Sequence, residues 1–337
     1  MKVLITGGAG FIGSNFVRYW LKKHPDDFVL NLDALTYAGH IESLKDISPQ
    51  TNYSFVQGDI VDEPLVDEVM KDVDLVVHFA AESHVDRSIL EPMKFVKTNV
   101  LGTGVLLEAA RRHKVSRYHH VSTDEVFGQL TLDEPSFNEH SMIKPRMPYS
   151  ASKAASDLLT FSYGSAYGLP VTVSNCSNNY GPYQDTEKLV PRFITNLIDG
   201  KKLPLMGSGE NIRDWLHVQD HCSAIDFIIQ NGTSGERYCI GGDEEHSNFE
   251  ITKIILKHFD LDDSWIEPVE HRLGHDLRYS VDASKLMKMG WKLSYTFEQG
   301  ITETINWYKN NQWWWEPLKK DRPNIDPKQQ RISAGFQ

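Results

Sequence analysis

The stretch 1–15, MKVLITGGAGFIGSN, decides the fold of this chain. Its first part, Lys2–Thr6, is short and apolar, as is typical of a strand buried in a sheet. The strand is followed by glycines at three-residue steps, Gly7, Gly10 and Gly13. Phe11 and Ile12 then begin a helical pattern. A strand, a glycine turn and a helix in that order suit the pyrophosphate of a dinucleotide, because free N–H groups at the helix start can bind the anion.

An acidic residue stands where a dinucleotide-binding fold needs one. The apolar run Phe28–Leu32 predicts the second strand, and Asp33 stands at its end. A carboxylate at this position can accept a hydrogen bond from the ribose 2′-hydroxyl of the dinucleotide. The same carboxylate would repel a 2′-phosphate, so the sequence favours NAD over NADP as the cofactor.

The composition limits the classes of protein to which this chain can belong. Its 337 residues carry a net charge of −11, which argues against nucleic acid or an anionic membrane surface as a partner. No apolar run reaches the ~18 residues of a membrane span, and a strand pattern stands where a secretory signal would. We therefore expect a cytoplasmic protein. The cysteine spacings fit no zinc site, so we expect no metal and three reduced thiols, Cys176, Cys222 and Cys239.

Strand and helix patterns alternate along the first half of the chain. Helical segments separate further predicted strands at Tyr53–Gln57, Val73–His78, Val115–Ser122 and Pro170–Asn175. This alternation predicts an α/β fold with a Rossmann-type, doubly wound parallel sheet. From Ser177 onward, loops rich in Asn, Gly and Pro separate shorter elements. We expect a NAD-binding domain at 1–176, a smaller and partly interleaved substrate domain at 177–318, and a polar tail at 319–337.

Two long helices are predicted, at Pro92–His113 and Tyr149–Tyr167. Both carry apolar residues over much of their circumference, among them Val100, Val105, Leu106, Leu158, Phe161 and Tyr163. Two such helices on one face of the sheet could form a four-helix contact in a homodimer. Burial of the same residues within one chain would explain the pattern equally well.

Tyr149 and Lys153 stand four residues apart, so both project from one face of the second of these helices. A phenol has a pKa near 10 and is a weak base at neutral pH, but a neighbouring ammonium lowers that pKa. With NAD⁺ adding positive charge, Tyr149 could take the proton of a hydroxyl while the carbon loses a hydride. The spacing also occurs on solvated helices, and it gains weight here from the dinucleotide motif.

Two adjacent carboxyls, Asp124 and Glu125, follow the predicted strand that ends at Ser122. Open α/β sheets bind their ligands at the carboxyl ends of the strands. A solvated turn would also explain the pair. Adjacent side chains point in different directions, however, so one carboxyl could be buried and neutral while the other stays ionised. Such a pair would supply an acid and a base together.

Motifs along the chain resemble the extended short-chain dehydrogenase/reductase family of nucleotide-sugar enzymes. GxxGxxG at 7–13 and YSASK at 149–153 are general features of that family. A sharper resemblance is to the dTDP-glucose 4,6-dehydratase family. Over roughly residues 1–318 it is carried by AAESHVDRS (80–88), STDEV (122–126), NCSNNYGPY (175–183), EKL (187–189), IRDWLHVQDH (212–221), IGG (240–242) and RLGHDLRY (272–279).

The resemblance implies a lyase that converts dTDP-glucose to its 4-keto-6-deoxy derivative, a precursor of rhamnose-type deoxysugars, with NAD tightly bound. Thr123 and Tyr149 would engage the 4-hydroxyl, and Tyr149 would remove its proton as hydride leaves carbon 4. Glu125 would remove the hydrogen on carbon 5, and Asp124 would protonate the departing 6-hydroxyl. Hydride would then return to carbon 6. Lys153 completes the implied catalytic set.

The same resemblance implies binding roles. Cofactor positions are Gly7, Gly10, Phe11, Ile12, Gly13, Asp33, Ala34, Leu35, Thr36, Asp59, Ile60, Ala80, Ala81, Ser83, Thr98, Tyr149, Lys153 and Asn179. Nucleotide-sugar positions are His84, Thr123, Asn178, Lys188, Leu189, Pro204, Leu205, Met206, Arg213, Asn248, His271, Arg272 and His275. Arg213 and Arg272 are forked donors suited to a diphosphate. Two residues depart from the family pattern: Phe127 replaces a usual tyrosine, and Leu273 replaces a usual proline.

Other functions stay open on the sequence alone. The same reaction on UDP-glucose or another nucleotide-glucose is an alternative, because thymine and uracil differ by one methyl group. A nucleotide-sugar 4-epimerase would need only Tyr149 and Lys153. A non-catalytic NAD-binding scaffold would be expected to lack one of these residues or the carboxyl pair, and all are present.

Overall fold

The structure, a computed structural model, describes residues 1–270 and 276–320. Its strands are β1 (Lys2–Thr6), β2 (Phe28–Asp33), β3 (Tyr53–Gln57), β4 (Leu75–His78), β5 (Arg117–Thr123), β6 (Val171–Cys176), β7 (Asn178–Tyr180), β8 (Leu203–Met206), β9 (Ile212–His217), β10 (Glu236–Ile240), β11 (Glu245–Ser247), β12 (Ile266–Val269) and β13 (Arg278–Tyr279). Its α-helices are α1 (Phe11–Lys23), α2 (Glu63–Val69), α3 (Val85–Leu90), α4 (Pro92–Phe95), α5 (Thr103–Arg112), α6 (Pro148–Tyr167), α7 (Leu189–Ile198), α8 (Val218–Asn231), α9 (Asn248–His258), α10 (Ser284–Met289), α11 (Phe297–Asn310) and α12 (Gln312–Lys320).

Seven of the described strands form one parallel sheet in the order β10-β6-β5-β4-β1-β2-β3. The chain builds outward from β1 to β3 on one side, and β4 then continues on the other side of β1. Strand order therefore reverses between β1 and β4, which is where sheets of this kind bind nucleotides. The predicted Rossmann-type α/β fold is confirmed.

Helices cover both faces of this sheet, which explains why strands such as β1 and β4 are apolar on both faces. One core cluster joins the sheet to α1 and α8, with Phe16 and Trp20 of α1 packed near Ile225 and Ile228 of α8. A second cluster joins the opposite face to α2, α5 and α6. Because each face is buried, a strand such as Leu75–His78 has no solvent-facing positions.

A smaller lobe contains most of the elements that follow β6. Strand β9 is the centre of a small sheet, in which it pairs with β7, β11 and β13. Strand β8 pairs with β12. A third core cluster is shared by α7, α9, α11 and α12. Three elements of this part return to the large sheet: α8 packs on α1, β10 pairs with β6, and α10 packs on β10. The domain boundary at residue 176 stays a prediction.

The long helix predicted at Pro92–His113 is present as one continuous helical run, because the backbone stays helical from α4 through a π-helical segment (Val96–Gly102) into α5. The π-helical segment in its middle was not predicted. The wider turn presents Asn99 to its neighbours, since its amide donates to the Glu82 carbonyl at 3.0 Å and to Ser152 Oγ at 2.8 Å. π-Helical turns often occur at functional sites, and this one lies beside the reversal point of the sheet.

Several features complete the description. No helix within 1–270 and 276–320 is long and apolar enough to cross a bilayer. The same ranges contain no cluster of His, Cys, Asp and Glu arranged to hold a metal ion. All three cysteines are buried free thiols. Of the tail predicted at 319–337, the first two residues belong to α12, and 321–337 lie outside the described residues.

Candidate active site

The glycine turn after β1 leaves room for backbone alone. Gly7 has φ +75°, and a Cβ on it would lie 2.6 Å from the backbone nitrogen of Ala80. A Cβ on Gly13 would lie 2.2 Å from the Gly7 carbonyl oxygen. Gly10 is the N-cap of α1 and has no side chain to occupy the helix start. The turn therefore fits the dinucleotide pyrophosphate that the sequence predicted, with the N–H groups of Phe11 and Ile12 at the helix start.

Asp33 ties this turn to the loop that follows β2. One carboxylate oxygen accepts from the Ala9 N–H at 2.9 Å, and the other accepts from the Leu35 N–H at 2.8 Å. Burial raises the pKa of Asp33, and these two hydrogen bonds oppose the rise. A carboxylate can accept about four hydrogen bonds, so capacity remains for a ribose hydroxyl. The predicted positions Ala34, Leu35 and Thr36 follow directly in this loop.

The remaining predicted cofactor residues lie at the carboxyl edge of the sheet or beside it. Asp59 and Ile60 follow β3, and the stretch from Ala80 to Ser83 follows β4. Tyr37, which the sequence analysis missed, joins two of these loops, because its hydroxyl accepts from the N–H groups of Ser83 at 3.2 Å and His84 at 3.1 Å. Ala81 belongs to the stretch after β4, Thr98 lies in the π-helical segment, and Asn179 lies in β7.

Thr123 and the carboxyl pair stand at the end of β5. The Thr123 hydroxyl donates to Asp124 Oδ1 at 3.2 Å and accepts from the Glu125 N–H at 3.3 Å, which fixes the short 3₁₀ turn Asp124–Phe127. Asp124 is 2% exposed, whereas Glu125 is half-buried. Burial raises the pKa of Asp124 well above its usual range, and the charges of Glu125 and Asp214 raise it further. The two carboxyls therefore differ in the way that an acid and a base require.

Tyr149 contacts the same group of residues from the start of α6. A hydrogen bond with Thr123 lowers its pKa, but burial and the charge of Glu125 outweigh this effect and raise the pKa well above its usual value. The ring meets Phe95 edge-on, with 6.3 Å between centroids. Burial therefore dominates among these residues, and the lowering expected from Lys153 together with NAD⁺ stays a prediction. The lowering needs positive charge beyond what these residues provide.

Lys153 is buried on the next turn of α6. Its ammonium donates to the Val121 carbonyl at 2.8 Å and lies 3.3 Å from His120 Nε2. Burial lowers the pKa of Lys153 to about 8, and the charge of Asp157 opposes that change. The lysine is therefore held against β5, one turn of α6 beyond Tyr149.

The predicted substrate residues approach from the smaller lobe. Arg213, on β9, is 6% exposed and donates to the carbonyl oxygens of Ile212 at 2.6 Å and Asp276 at 3.0 Å. Its guanidinium also stacks on Tyr279, 4.4 Å from the ring centroid. Burial lowers the pKa of Arg213, and the charges of Glu125 and Asp124 oppose this change. The guanidinium therefore interacts electrostatically with the carboxyl pair.

Other predicted substrate positions gather at the starts of two helices. Lys188 is the N-cap of α7, Leu189 is its first residue, and Asn248 is the first residue of α9. Strand β8, which contains Pro204, Leu205 and Met206, packs against both helices. Across the cleft, His84 Nε2 lies 3.1 Å from a Glu187 carboxylate oxygen. Asn178 begins β7, and the predicted positions His271, Arg272 and His275, with Leu273, lie outside the described residues.

Of the two residues that depart from the family pattern, Phe127 lies within the described residues, and its ring is buried. Phe127 is 2% exposed and packs against Phe137, with 5.2 Å between ring centroids. The Arg237 guanidinium lies 5.4 Å from the Phe127 ring centroid. An apolar ring is therefore well accommodated here without a hydroxyl.

Besides Tyr37, the sequence analysis missed several buried polar residues around the site: Asn99, His120, Asp157 and Asp214. Asp157 had a usable signal, because it stands four residues after Lys153 and so lies on the same face of α6. Asp214 accepts from the Gly242 N–H at 3.0 Å, and burial raises its pKa to about 7. No comparable sequence signal marks Asn99 or His120.

Comparisons with known proteins agree on one family. The model of the family described as GDP-mannose 4,6 dehydratase matches residues 4–304. A dTDP-glucose 4,6-dehydratase of Streptomyces antibioticus is 50% identical over 95% of this chain and 96% of its own length. The corresponding Escherichia coli protein is 46% identical over 94% of this chain and 96% of its own.

Solved structures give the same result. The dTDP-glucose 4,6-dehydratase DesIV of Streptomyces venezuelae, solved with NAD bound, superposes with a TM-score of 0.91 at 48% identity, over 94% of this chain and all of that one. A UDP-glucose 4-epimerase of Thermotoga maritima is more distant, with a TM-score of 0.85 at 28% identity over 92% of this chain and 99% of that one.

Proposed function

Since this chain belongs to the dTDP-glucose 4,6-dehydratase family, we propose that it removes water from dTDP-glucose to give dTDP-4-keto-6-deoxyglucose. The observation that carries the proposal is the pair of unlike carboxyls, Asp124 and Glu125, beside Tyr149. A dehydrogenase or an epimerase needs no such pair. Elimination of water from a sugar needs an acid for the leaving hydroxyl and a base for the hydrogen.

The cofactor is NAD, held at the glycine turn and by Asp33. Bound NAD accepts a hydride from carbon 4 of the sugar and later returns it to carbon 6, so that it is unchanged after each turnover. Support for this site comes from the close backbone packing at Gly7 and Gly13, from Gly10, which leaves the start of α1 without a side chain, and from the remaining acceptor capacity of Asp33.

Tyr149 removes the proton of the 4-hydroxyl, with Thr123 as its hydrogen-bond partner. Because burial raises the Tyr149 pKa, the phenolate needs positive charge nearby to form at neutral pH. Lys153 and the oxidised nicotinamide ring are the groups that can provide this charge.

Glu125 and Asp124 then carry out the elimination. A ketone at carbon 4 makes the hydrogen on carbon 5 acidic, and Glu125 takes this proton. Asp124, whose protonated form is favoured by burial and by its neighbour's charge, gives its proton to the 6-hydroxyl, which leaves as water. Glu125 returns its proton to carbon 5 when hydride arrives at carbon 6. The proton that Tyr149 took from the 4-hydroxyl replaces, by exchange through solvent, the one that Asp124 gave to the leaving water, so atoms and charges balance.

Isotope labelling tests the reaction. With dTDP-glucose deuterated at carbon 4, a dehydratase moves the label to carbon 6 and yields a product lighter by one water. A 4-epimerase keeps the mass of its substrate and returns the label to carbon 4. NMR and mass spectrometry distinguish the two, and a label that stays on carbon 4 would contradict the proposal.

The preference for thymine as the base of the nucleotide sugar has its own test. The methyl group that distinguishes thymine from uracil is worth about 1–3 kcal/mol in a fitted pocket, or roughly 10–200-fold in kcat/KM. Turnover of dTDP-, UDP- and CDP-glucose should therefore be compared side by side. Equal kcat/KM values for the dTDP and UDP sugars would favour the broader alternative substrate class.

The protein acts in the cytoplasm as a homodimer. Buried free thiols at all three cysteines suit a reducing compartment. Apolar side chains stay exposed on the helical elements from α4 to α6, namely α4, the π-helical segment, α5 and α6. They include Met93 (72%), Leu101 (53%) and Leu158 (56%). Apolar side chains gathered on neighbouring elements support a partner surface there.

A further inference from the structure

Lys153 belongs to a buried network of polar groups that the steps above do not use. Its ammonium lies 3.3 Å from His120 Nε2. One turn further along α6, Asp157 is fully buried, and its Oδ1 lies 3.4 Å from the same imidazole nitrogen. His120 is therefore within reach of both the lysine and a buried carboxylate, and all three side chains are withdrawn from solvent.

Asp157 is held by side chains from two strands. Arg237 Nη1, on β10, lies 3.4 Å from Asp157 Oδ2, and the Asn175 amide, on β6, donates to that oxygen at 3.1 Å. Arg237 also donates to Asn175 Oδ1 at 2.9 Å, which closes a ring of three side chains. The other oxygen, Oδ1, has no hydrogen-bond partner among the described residues and faces His120. Burial raises the pKa of Asp157, and the charges of Arg237 and Lys153 and the hydrogen bond from Asn175 oppose that rise, which favours the ionised carboxylate.

The surroundings of Lys153 contain few charges that favour its ammonium. His120 approaches from β5 and His78 from β4, and burial lowers the pKa of both, so they are neutral. The Cys176 thiol faces the lysine from β6, and burial raises its pKa, so it is uncharged as well. Asp157 is the remaining group, and its charge raises the pKa of Lys153 against burial.

The positive groups around the network act in the opposite direction. Arg237 reaches Asp157 from β10, and the Asp157 carboxylate offsets its positive charge. Without that carboxylate, the charge of Arg237 would disfavour the ammonium form of Lys153. Tyr149, four residues before Lys153 on α6, is half-buried, and its raised pKa favours the uncharged phenol in the absence of further positive charge. The charge of the lysine therefore depends on a residue that contacts neither sugar nor cofactor in the proposed reaction.

We propose that Asp157 is a positioning residue for Lys153, keeping its ammonium charged and directed toward β5. His120, whose Nε2 also lies 3.0 Å from Ser156 Oγ, separates the two side chains, and Arg237 favours the ionised form of Asp157. The inference rests on the proposed function only in that Tyr149 and Lys153 act in its first step.

Asp157→Asn tests the proposal, because it removes the charge and keeps the shape. In the NAD-loaded enzyme, Lys153 should lose its proton at lower pH, so the alkaline limb of the kcat profile should move down by about one pH unit. Asp226→Asn is the matched control, since Asp226 is another buried aspartate, 3.0 Å from His24 on the far side of α1. Its variant should keep the wild-type limb.

Two further variants keep the test decisive. Asp157→Glu should restore the wild-type limb at least in part, which loss of packing alone would not allow. If Asp157→Asn fails to fold, Arg237→Gln should move the limb in the same direction by weakening the ionised carboxylate. A folded Asp157→Asn or Arg237→Gln with a wild-type limb would overturn the proposal, and so would an equal movement in Asp226→Asn. The wild-type product tests the function separately, because the limb can move whichever product is formed.

Discussion

Glu125, at the residue scale, separates the first redox step from the loss of water. In Glu125→Gln the hydride should still leave carbon 4, but the hydrogen on carbon 5 should stay. The reduced nicotinamide should then accumulate, visible as its absorbance, while overall turnover falls by roughly 10²–10⁴-fold. Glu134→Gln is the matched control, because Glu134 is an exposed glutamate that caps the Thr131 N–H in the following loop. Unchanged turnover in Glu125→Gln would mean that another group is the base.

Asp124→Asn should lose activity and gain stability. Loss of the acid should slow turnover by roughly 10²-fold or more. The pKa of Asp124 is raised in the folded protein, so the native state holds this proton more tightly than the unfolded chain. Its contribution to stability is full below about pH 4 and is lost as pH rises toward the folded pKa.

Asparagine does not titrate, so the Asp124→Asn variant should not lose this stability as pH rises. Its melting temperature should exceed that of the wild type by a margin that grows from pH 4 to pH 8. Differential scanning calorimetry of both proteins measures the margin. A margin independent of pH would show that Asp124 is already ionised in the folded protein.

The residues that the sequence identified are those with a fixed place relative to a recognisable motif. Asp124 and Glu125 follow a strand end, and Tyr149 and Lys153 share a helix face, so spacing alone brings them forward. Charge states were beyond reach, because they depend on burial that only the folded chain creates. The raised Tyr149 pKa is the clearest case, since burial is its main cause.

Gly13, at the element scale, controls whether α1 can follow β1 closely. In Gly13→Ala the added Cβ would lie 2.2 Å from the Gly7 carbonyl oxygen, which is backbone and cannot move aside cheaply. Overpacking of this kind costs about 1–3 kcal/mol, so NAD affinity should fall roughly 10–100-fold. Absorbance of the nucleotide released from purified protein measures the effect.

Gly104→Ala is the control for that experiment. Gly104 lies in α5, where an added Cβ would make an ordinary contact of 3.4 Å with a Leu159 methyl group. Alanine in a helix interior stabilises by up to about 1 kcal/mol relative to glycine, so this variant should keep its NAD and melt slightly higher. Full NAD content in Gly13→Ala would contradict the steric argument.

Elements with a strong period were predictable and those without one were not. Strand patterns predicted six of the seven strands of the large sheet, all but β10, together with the helices between them. The π-helical segment could not be foreseen, because it is stabilised by side-chain contacts such as Asn99 with Ser152. The short strands β7, β11 and β13 are also set by their neighbours, since two or three residues carry no readable alternation.

Assembly is the prediction that belongs to the whole molecule. If the elements from α4 to α6 pair with a second copy, Leu101→Glu should introduce a charge into an apolar interface and shift the protein toward the monomer. Sedimentation velocity measures this at several concentrations. Leu132→Glu is the control, because Leu132 is similarly exposed at 60% but lies in the loop after β5. A dimer that persists in Leu101→Glu would remove this surface from the interface.

At the same scale, the fold class was within reach of the sequence and the path of the chain was not. Alternating strands and helices allow a doubly wound sheet and little else. The return of β10 to the edge of that sheet depends on pairing with β6 across a long intervening segment, and a short apolar run such as Tyr238–Ile240 cannot reveal its partner.

The pairing of β10 with β6 also orders events during translation. While residues 177–235 are still being made, the outer edge of β6 has emerged from the ribosome without its neighbour. An open strand edge of this kind invites pairing with other nascent chains. Fragments that stop before residue 236 should therefore aggregate in cells, and chaperones should be needed most during the synthesis of that segment.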